Sequence, residues 1–384
     1  MGAASLAFLA SQACREPRKA ALPDDAMLTW LHVGDLHMDA AHPDRRLALE
    51  RIVDEARHFA GALDFALLPG DIADNGTAEQ YHPVRAAMDR LRLPVRIIPG
   101  DHDFEPRSLD AYHAVLGAEK LPAAATVSGH RRVFLDIVSA GTGGLDFRIG
   151  QGQLDWLGRE LAEAEARGEP VALFMHSYPA DLGTDALPLG RLLGRHPPAV
   201  IDMGHTHYNE LGNDGRTIYA ATRSTGRAEE GPLGFSVGAV DGGAVSWRFK
   251  TLGSAWPLVQ ITAPADRRLV TDRSAGGGGA IRARAWDETG IARVTCQVDD
   301  AAPVGMRRNG AGWSCPWRAD GGEHRITVRA EAASGTAGED TILAGGTAAR
   351  MGPSSGSDAH SIGAWKERHV LGTQLGPNRN GHKW

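Results

Sequence analysis

The stretch Leu28–His37 (LTWLHVGDLH) decides how this chain reads: an apolar run stops at a glycine, and Asp35 and His37 follow at once, two residues apart. Four further stretches repeat the design. They are Phe65–Asp71 (FALLPGD), which continues to Asp74, Val95–Asp103 (VRIIPGDHD), Val171–His176 (VALFMH) and Val200–His207 (VIDMGHTH). Short apolar runs bounded by Gly or Pro read as buried strands. Probable strands are therefore Leu28–Val33, Phe65–Pro69, Val95–Pro99, Val133–Ser139, Val171–Met175, Val200–Met203 and Ile218–Ala221. Amphipathic segments at Leu47–Ala62, Val84–Leu91 and Gln153–Arg167 lie between them. Strands alternating with helices imply an α/β layered fold, and alternation alone suggests one doubly wound sheet. The acidic and imidazole residues then gather at the C-terminal edge, where open α/β sheets bind ligands.

The remainder of the chain sets bounds on this reading. The 384 residues carry 41 Lys+Arg against 47 Asp+Glu, a net charge of −6, and 42% hydrophobic residues, which is globular. No apolar run approaches the ~20 residues of a membrane-spanning helix. No basic cluster supplies a footprint for nucleic acid held by bulk charge. Residues Ala3–Ala13 form an apolar segment ending at Cys14, which reads as part of an export signal with Cys14 as a lipid-anchor position. The expectation is an exported, periplasmic protein, the alternative a frayed N-terminus on a cytoplasmic one. Asp241-Gly242-Gly243 between Phe235–Val240 and Ala244–Lys250 signals a hairpin closing the first domain. Short strands at Ile281–Trp286, Ile291–Val298, Trp313–Trp317 and His324–Ala330 then suggest a small immunoglobulin-like sandwich. The expected division is 1–26 as export segment and linker, 27–257 as catalytic domain, 258–345 as sandwich and 346–384 as a Gly/Ser/Asn-rich tail. Trp365 and Trp384 suggest that the tail packs back on the body. Cys296 and Cys315 are either one bridge or two buried thiols. Trp286, Trp313 and Trp317 read as core, with sugar binding the alternative.

Carboxylate oxygens mixed with neutral imidazoles suit Mn, Fe or Zn rather than Ca or Mg. Asp-x-His and His-x-His spacings on extended backbone put both members on one side. Glycine before Asp71, Asp101 and His205 permits sharp turns and close backbone approach. Each element alone is a weak signal, but five in order at strand ends are not. The competing reading is a buried ion-pair network, which would leave carboxylates and imidazoles desolvated without cations. The other eleven histidines match no motif.

With those motifs in order, residues 27–250 resemble the calcineurin-like metallophosphoesterase family. The stretches Pro69–Arg90 and Leu93–Asp103 are most similar to its class III cyclic-nucleotide phosphodiesterase branch. The resemblance implies a four-layer α/β/β/α sandwich rather than a single sheet, and a pair of divalent or mixed-valence ions. Asp35, His37, Asp71 and His207 would hold one ion, and Asp71, Asp101, His176 and His205 the other, with Asp71 shared. A metal-bridging hydroxide would attack phosphorus, His102 would be the general acid, and Asp103 would orient His102. One departure matters: the family has Asn where this chain has Asp101. Three carboxylates against two divalent ions leave a charge of +1 rather than +2, which suggests either trivalent iron or a substrate of low negative charge. Asn75 reads as a pocket wall or a polar turn, and Arg223 as a phosphate contact or a surface arginine. The function expected is metal-dependent hydrolysis of a small phosphoester, a diester by preference. The alternatives are a phosphomonoesterase or nucleotidase on the same site, and a binding protein with a vestigial metal site.

Overall fold

Alternate residues of nearly every strand in the first domain are apolar on both faces, and each face has its own partner. The computed structural model describes residues 26–345 other than 60, 228–230 and 275–278, together with the backbone of 363–365 and 370–374. Its first sheet has the order β11-β10-β1-β2-β3, built from Met27–His32 (β1), Phe65–Leu68 (β2), Val95–Ile97 (β3), Gly234–Asp241 (β10) and Ala244–Thr251 (β11). A second sheet runs through Glu210–Asn213 (β8), Ile218–Ala221 (β9), Val200–Met203 (β7), Val171–Phe174 (β6), His130–Phe134 (β5) and Ala123–Val127 (β4), in that order.

Strand periodicity explains the layering. Leu28, Trp30, Phe65, Leu67, Ala172, Phe174 and Val200 pack between the sheets. Their neighbours Leu31, Ala66 and Leu68 face the outer helices Pro43–Glu55 (α1), Ala78–Met88 (α2) and Asp110–Leu116 (α3). Leu173, Ile201 and Met203 face Gln151–Arg167 (α4) and Ala186–Arg195 (α5). The result is α/β/β/α, so the single doubly wound sheet suggested by alternation alone is replaced by two. Sequence order does not reveal the split because strands covered on both faces read alike whichever sheet they join.

Local signals agree with the ends of these elements. Pro43 opens α1. Thr77 and Gln80 form a reciprocal capping box at α2, which starts six residues before the expected Val84. Gly168, at φ +73°, closes α4. Four elements of the first domain, α3, α5, β4 and β8, are not expected from the sequence: each is ten residues or shorter.

One polar cluster interrupts the apolar layer between the sheets. Asp202 of β7 accepts from Trp30 Nε1 at 2.5 Å and lies 2.9 Å from His32 Nδ1, and both members of the His–Asp pair are fully buried. Thus His32, which matches no motif, links the two sheets three residues before Asp35.

The second domain is a sandwich of two four-stranded sheets. Leu258–Ala263 (β12), Ala280–Trp286 (β13), Gly312–Pro316 (β17) and Arg307–Asn309 (β16) form one. Val304–Gly305 (β15), Ile291–Val298 (β14), Glu323–Ala332 (β18) and Ala337–Gly345 (β19) form the other. Cys296 and Cys315 enter its core from opposite sheets as free, buried thiols. Trp313 and Trp317 pack on that core, and buried Trp286 joins the first domain's cluster, so all three are packing residues. Trp256 cements the junction, stacked on His58 at 4.0 Å. Beyond it, the backbone of Gly363–Trp365 (β20) and Val370–Gln374 (β21) forms a hairpin that adds to β8, so part of the tail extends the second sheet. The Ala3–Ala13 segment, Cys14 and Trp384 lie outside the described residues. No helix among the described residues is long and apolar enough to cross a membrane.

Candidate metal centre

Each motif leaves its strand at the same end of the two sheets. Asp35 and His37 follow β1, Asp71 follows β2 and Asp101 follows β3, all from the first sheet. His176 follows β6, and His205 and His207 follow β7, from the second. The ligand set is therefore split between the layers and meets across their junction. Asp35, His37, Asp71 and His207 bring one donor atom each within 4.8 Å of one another, and Asp71, Asp101, His176 and His205 do the same. Asp71 is common to both groups. All seven residues expected from the sequence are thus brought together.

The backbone pays in strain for this convergence. Seven described residues other than glycine have positive φ, and four of them, His37 (43°), Asp71 (50°), His205 (64°) and His207 (63°), are in the two groups. Such conformations persist where the surroundings over-determine them, characteristically at functional sites. The glycines act through close approach. A Cβ on Gly70, itself at φ +117°, would lie 2.2 Å from His176 Nδ1. One on Gly100 would lie 2.2 Å from Asp71 Oδ1, and one on Gly204 2.3 Å from Asp35 Oδ1.

Hydrogen bonds fix the rings. His176 Nδ1 donates to the Pro69 carbonyl at 2.8 Å, which turns Nε2 to Asp101 Oδ1 at 3.1 Å and Asp71 Oδ1 at 3.4 Å. His37 Nε2 and His207 Nε2 face each other at 2.9 Å. Phe147, buried in the loop before α4, packs edge-on against His205 and His176 with centroids 5.0 and 6.0 Å away.

The donor set fits a pair of cations. Burial pushes the Asp35 carboxyl up to about 8, with His176 opposing and Asp71 adding to the rise. Burial also holds His37 down at about 2, the neutral form a ligand requires. For Asp71 burial works upward, but the charge and hydrogen bond of His176 outweigh it and bring the carboxyl to about 2. Burial would lower His176, yet Asp71, Asp101 and Asp35 draw it far above the ordinary imidazole range. The centre thus demands positive charge where these side chains meet, and a metal ion replaces the proton. Asp35 Oδ1 is buried without a hydrogen-bond partner, as a donor awaiting a cation would be.

His102 stands beside the shared carboxylate: its backbone N–H donates to Asp71 Oδ1 at 3.0 Å. Its ring Nδ1 lies 2.7 Å from the Asp74 carbonyl, which can only accept, so Nδ1 carries the proton and Nε2 is the free nitrogen. Asp103 does not orient this ring. Its fully buried carboxylate instead accepts from the backbone N–H groups of Ile72, Ala73 and Gly100 and from Tyr81 Oη, at 3.0–3.2 Å. It staples the Asp71 loop to the Asp101 loop, and burial, with Asp71 adding, raises it to about 6. The residue next to a histidine in sequence points the other way on the turn, which spacing could not foretell.

Asn75 is exposed at the rim, its amide donating to Glu105 Oε2 and its carbonyl oxygen accepting from Gln80 Nε2. Arg223 is buried and turned to the Phe249 ring, 4.3 Å from its centroid, with Nη1 on the Pro232 carbonyl. The arginine that reaches the centre is Arg227, four residues on. Its Nη2 donates to Asp74 Oδ1 at 2.6 Å, and its Nη1 lies 3.4 Å from His102 Nε2. Arg45 approaches the same Asp74 oxygen at 3.3 Å. No local signal marks Arg45, Arg227 or Phe147. Arg45 comes from the first turn of α1, while Phe147 and Arg227 are set by loops docking, as where Thr225 and Gly226 donate backbone N–H groups to the Asp35 carbonyl.

This fold and these paired donor groups define a binuclear, metal-dependent phosphoester hydrolase. Residues 28–209 match the family model for calcineurin-like phosphoesterases, and residues 257–328 match the bacterial Ig domain. The chain is 24% identical over 272 residues to the 3′,5′-cyclic adenosine monophosphate phosphodiesterase CpdA of Escherichia coli, covering 67% of this chain and 97% of that protein. It is 30% identical over 170 residues to the Pseudomonas aeruginosa CpdA, covering 44% and 57%. It is 28% identical over 157 residues to the glycerophosphodiester phosphodiesterase GpdQ of Enterobacter lignolyticus, covering 38% and 56%.

Proposed function

We propose that this protein hydrolyses a small phosphodiester, with Asp35, His37, Asp71 and His207 holding one metal ion and Asp71, Asp101, His176 and His205 the other. The observation that carries the reading is the shared Asp71 with His102 hydrogen-bonded beside it. Mixed oxygen and imidazole donors favour Mn, Fe or Zn. Bound ions of this kind supply Lewis acidity toward the phosphate and a water nucleophilic at neutral pH. In its doubly protonated form His102 gives the Nε2 proton to the leaving oxygen, with Nδ1 anchored on the Asp74 carbonyl. Asp103 acts one step removed, by holding the Asp71 and Asp101 loops in register. Asn75, at the rim, contributes to the pocket wall. The phosphodiesterases among the relatives support a diester substrate of the cyclic-nucleotide or glycerophosphodiester kind. The bacterial Ig domain supports an exported location.

Paired assays with bis-p-nitrophenyl phosphate and p-nitrophenyl phosphate in added Mn test the reading. The diester is expected to be preferred, and a clear preference for the monoester would assign the site to phosphomonoesters instead. His102→Ala is expected to lower turnover of a diester with a poor leaving group by ~10²-fold or more. Unchanged turnover would remove His102 from the mechanism.

A further inference from the structure

Asp74 is met by two guanidinium groups. Arg227 Nη2 binds its Oδ1 at 2.6 Å and Arg45 Nη1 lies 3.3 Å from the same oxygen. Asp74 offers one carboxylate to both arginines, and Glu105, the other acid at this corner, lies 3.3 Å from His102 Nδ1. The two arginines are not equivalent. Arg45 is nine-tenths buried and spends a donor on the His37 carbonyl at 2.5 Å. Arg227 is 34% exposed along its side chain, and its second donor nitrogen faces His102 Nε2 at 3.4 Å.

That nitrogen identifies the side of the pocket. His102 Nδ1 is committed to the Asp74 carbonyl, so Nε2 is the atom that meets the leaving oxygen. A guanidinium within 3.4 Å of Nε2 therefore lies against the leaving group and not against the far ester arm. Resting on the proposed phosphodiesterase activity, we infer that Arg227 selects diesters whose leaving alcohol carries an anionic group, a carboxylate or a second phosphate. The planar guanidinium fork suits such oxyanions, and Asp74 aims it. Before substrate enters, the Arg227 contact to His102 fills the lone pair of Nε2. An arriving anionic leaving group draws the guanidinium onto itself and frees Nε2 to take up a proton from water, which it then passes to the leaving oxygen.

The test compares two methyl aryl phosphodiesters that differ only in a carboxylate or a carboxamide on the leaving ring, each assayed with full-length, Mn-loaded protein. The readout is the ratio of kcat/KM for the carboxylate ester over the carboxamide ester. Wild type is expected to favour the carboxylate ester, and Arg227→Ala to reduce the ratio by about 10- to 100-fold, the range for a hydrogen bond to a charged group. Arg227→Lys, which keeps charge but loses the fork, is expected to fall between them. An unchanged ratio in Arg227→Ala, whether both esters hold or fall together, overturns the inference and leaves the phosphodiesterase reading standing. No turnover of either ester by wild type overturns that reading, and the inference with it.

Discussion

One methyl group at Gly100 should dismantle the metal centre. In Gly100→Ala the new carbon would stand 2.2 Å from Asp71 Oδ1, 2.3 Å from Asp71 N and 2.7 Å from His176 Cε1. The carboxylate could rotate aside, but the Asp71 nitrogen is backbone and cannot. Ordinary contact begins near 3.4 Å, so the Asp71 and Asp101 loops must part by about 1 Å. Metal ligation tolerates errors of roughly 0.2 Å, and Asp71 belongs to both donor groups, so both sites suffer together. A misplacement of that size costs about 10²-fold in rate, and overpacking costs ~1–3 kcal/mol of stability. The assay is metal content by elemental analysis, with kcat/KM on bis-p-nitrophenyl phosphate and the thermal midpoint. The same methyl at Gly152, where nothing lies within 4 Å, serves as the control and should leave all three readouts in place. Two metal ions per chain and activity within threefold of wild type in Gly100→Ala would refute the reasoning.

Asp101→Asn removes one negative charge from the second donor group, so inorganic phosphate should inhibit about tenfold more strongly, by roughly 1.4 kcal/mol; an unchanged inhibition constant would show that this charge does not govern anion binding. Asp202→Ala strands the buried His32 and Trp30 donors between the sheets and should destabilise the fold by ~3–5 kcal/mol in denaturant titration. A midpoint equal to wild type would deny the pair its role. Burial lowers the pKa of His130, so its neutral form is favoured in the fold, and its contribution to stability is present above about pH 6.5 and lost as pH falls through the depressed value. His130→Gln should therefore show a shallower loss of thermal midpoint below pH 6.5 than wild type, and parallel curves would contradict that assignment.

The seven metal-binding candidates were legible because their chemistry is written locally: each is an acid or imidazole two to five residues past a strand, with glycine where backbones must nearly touch. Strand β7, Val200–Met203, was legible to the residue for a similar reason, since four residues bounded by Pro-Ala and Gly-His leave no other placement. Asp103, Arg223 and Arg227 lie beyond that reach. All three sit on turns, where a change of a few backbone angles redirects a side chain. Asp103 turned to three backbone N–H groups, Arg223 to Phe249, and Arg227, whose position nothing nearby announced, to His102.

By itself, then, the sequence determined which acids and imidazoles follow the strands, because that is written in contacts between near neighbours. Only the tertiary structure decided that the strands divide into two sheets, that a buried His32–Asp202 pair joins them, and that an arginine of α1 and one of a distant loop converge on Asp74. Those outcomes depend on packing between residues as much as 214 positions apart, as in the pairing of Met27 with Asp241, where no local preference competes and the lowest free energy of the whole chain makes the choice.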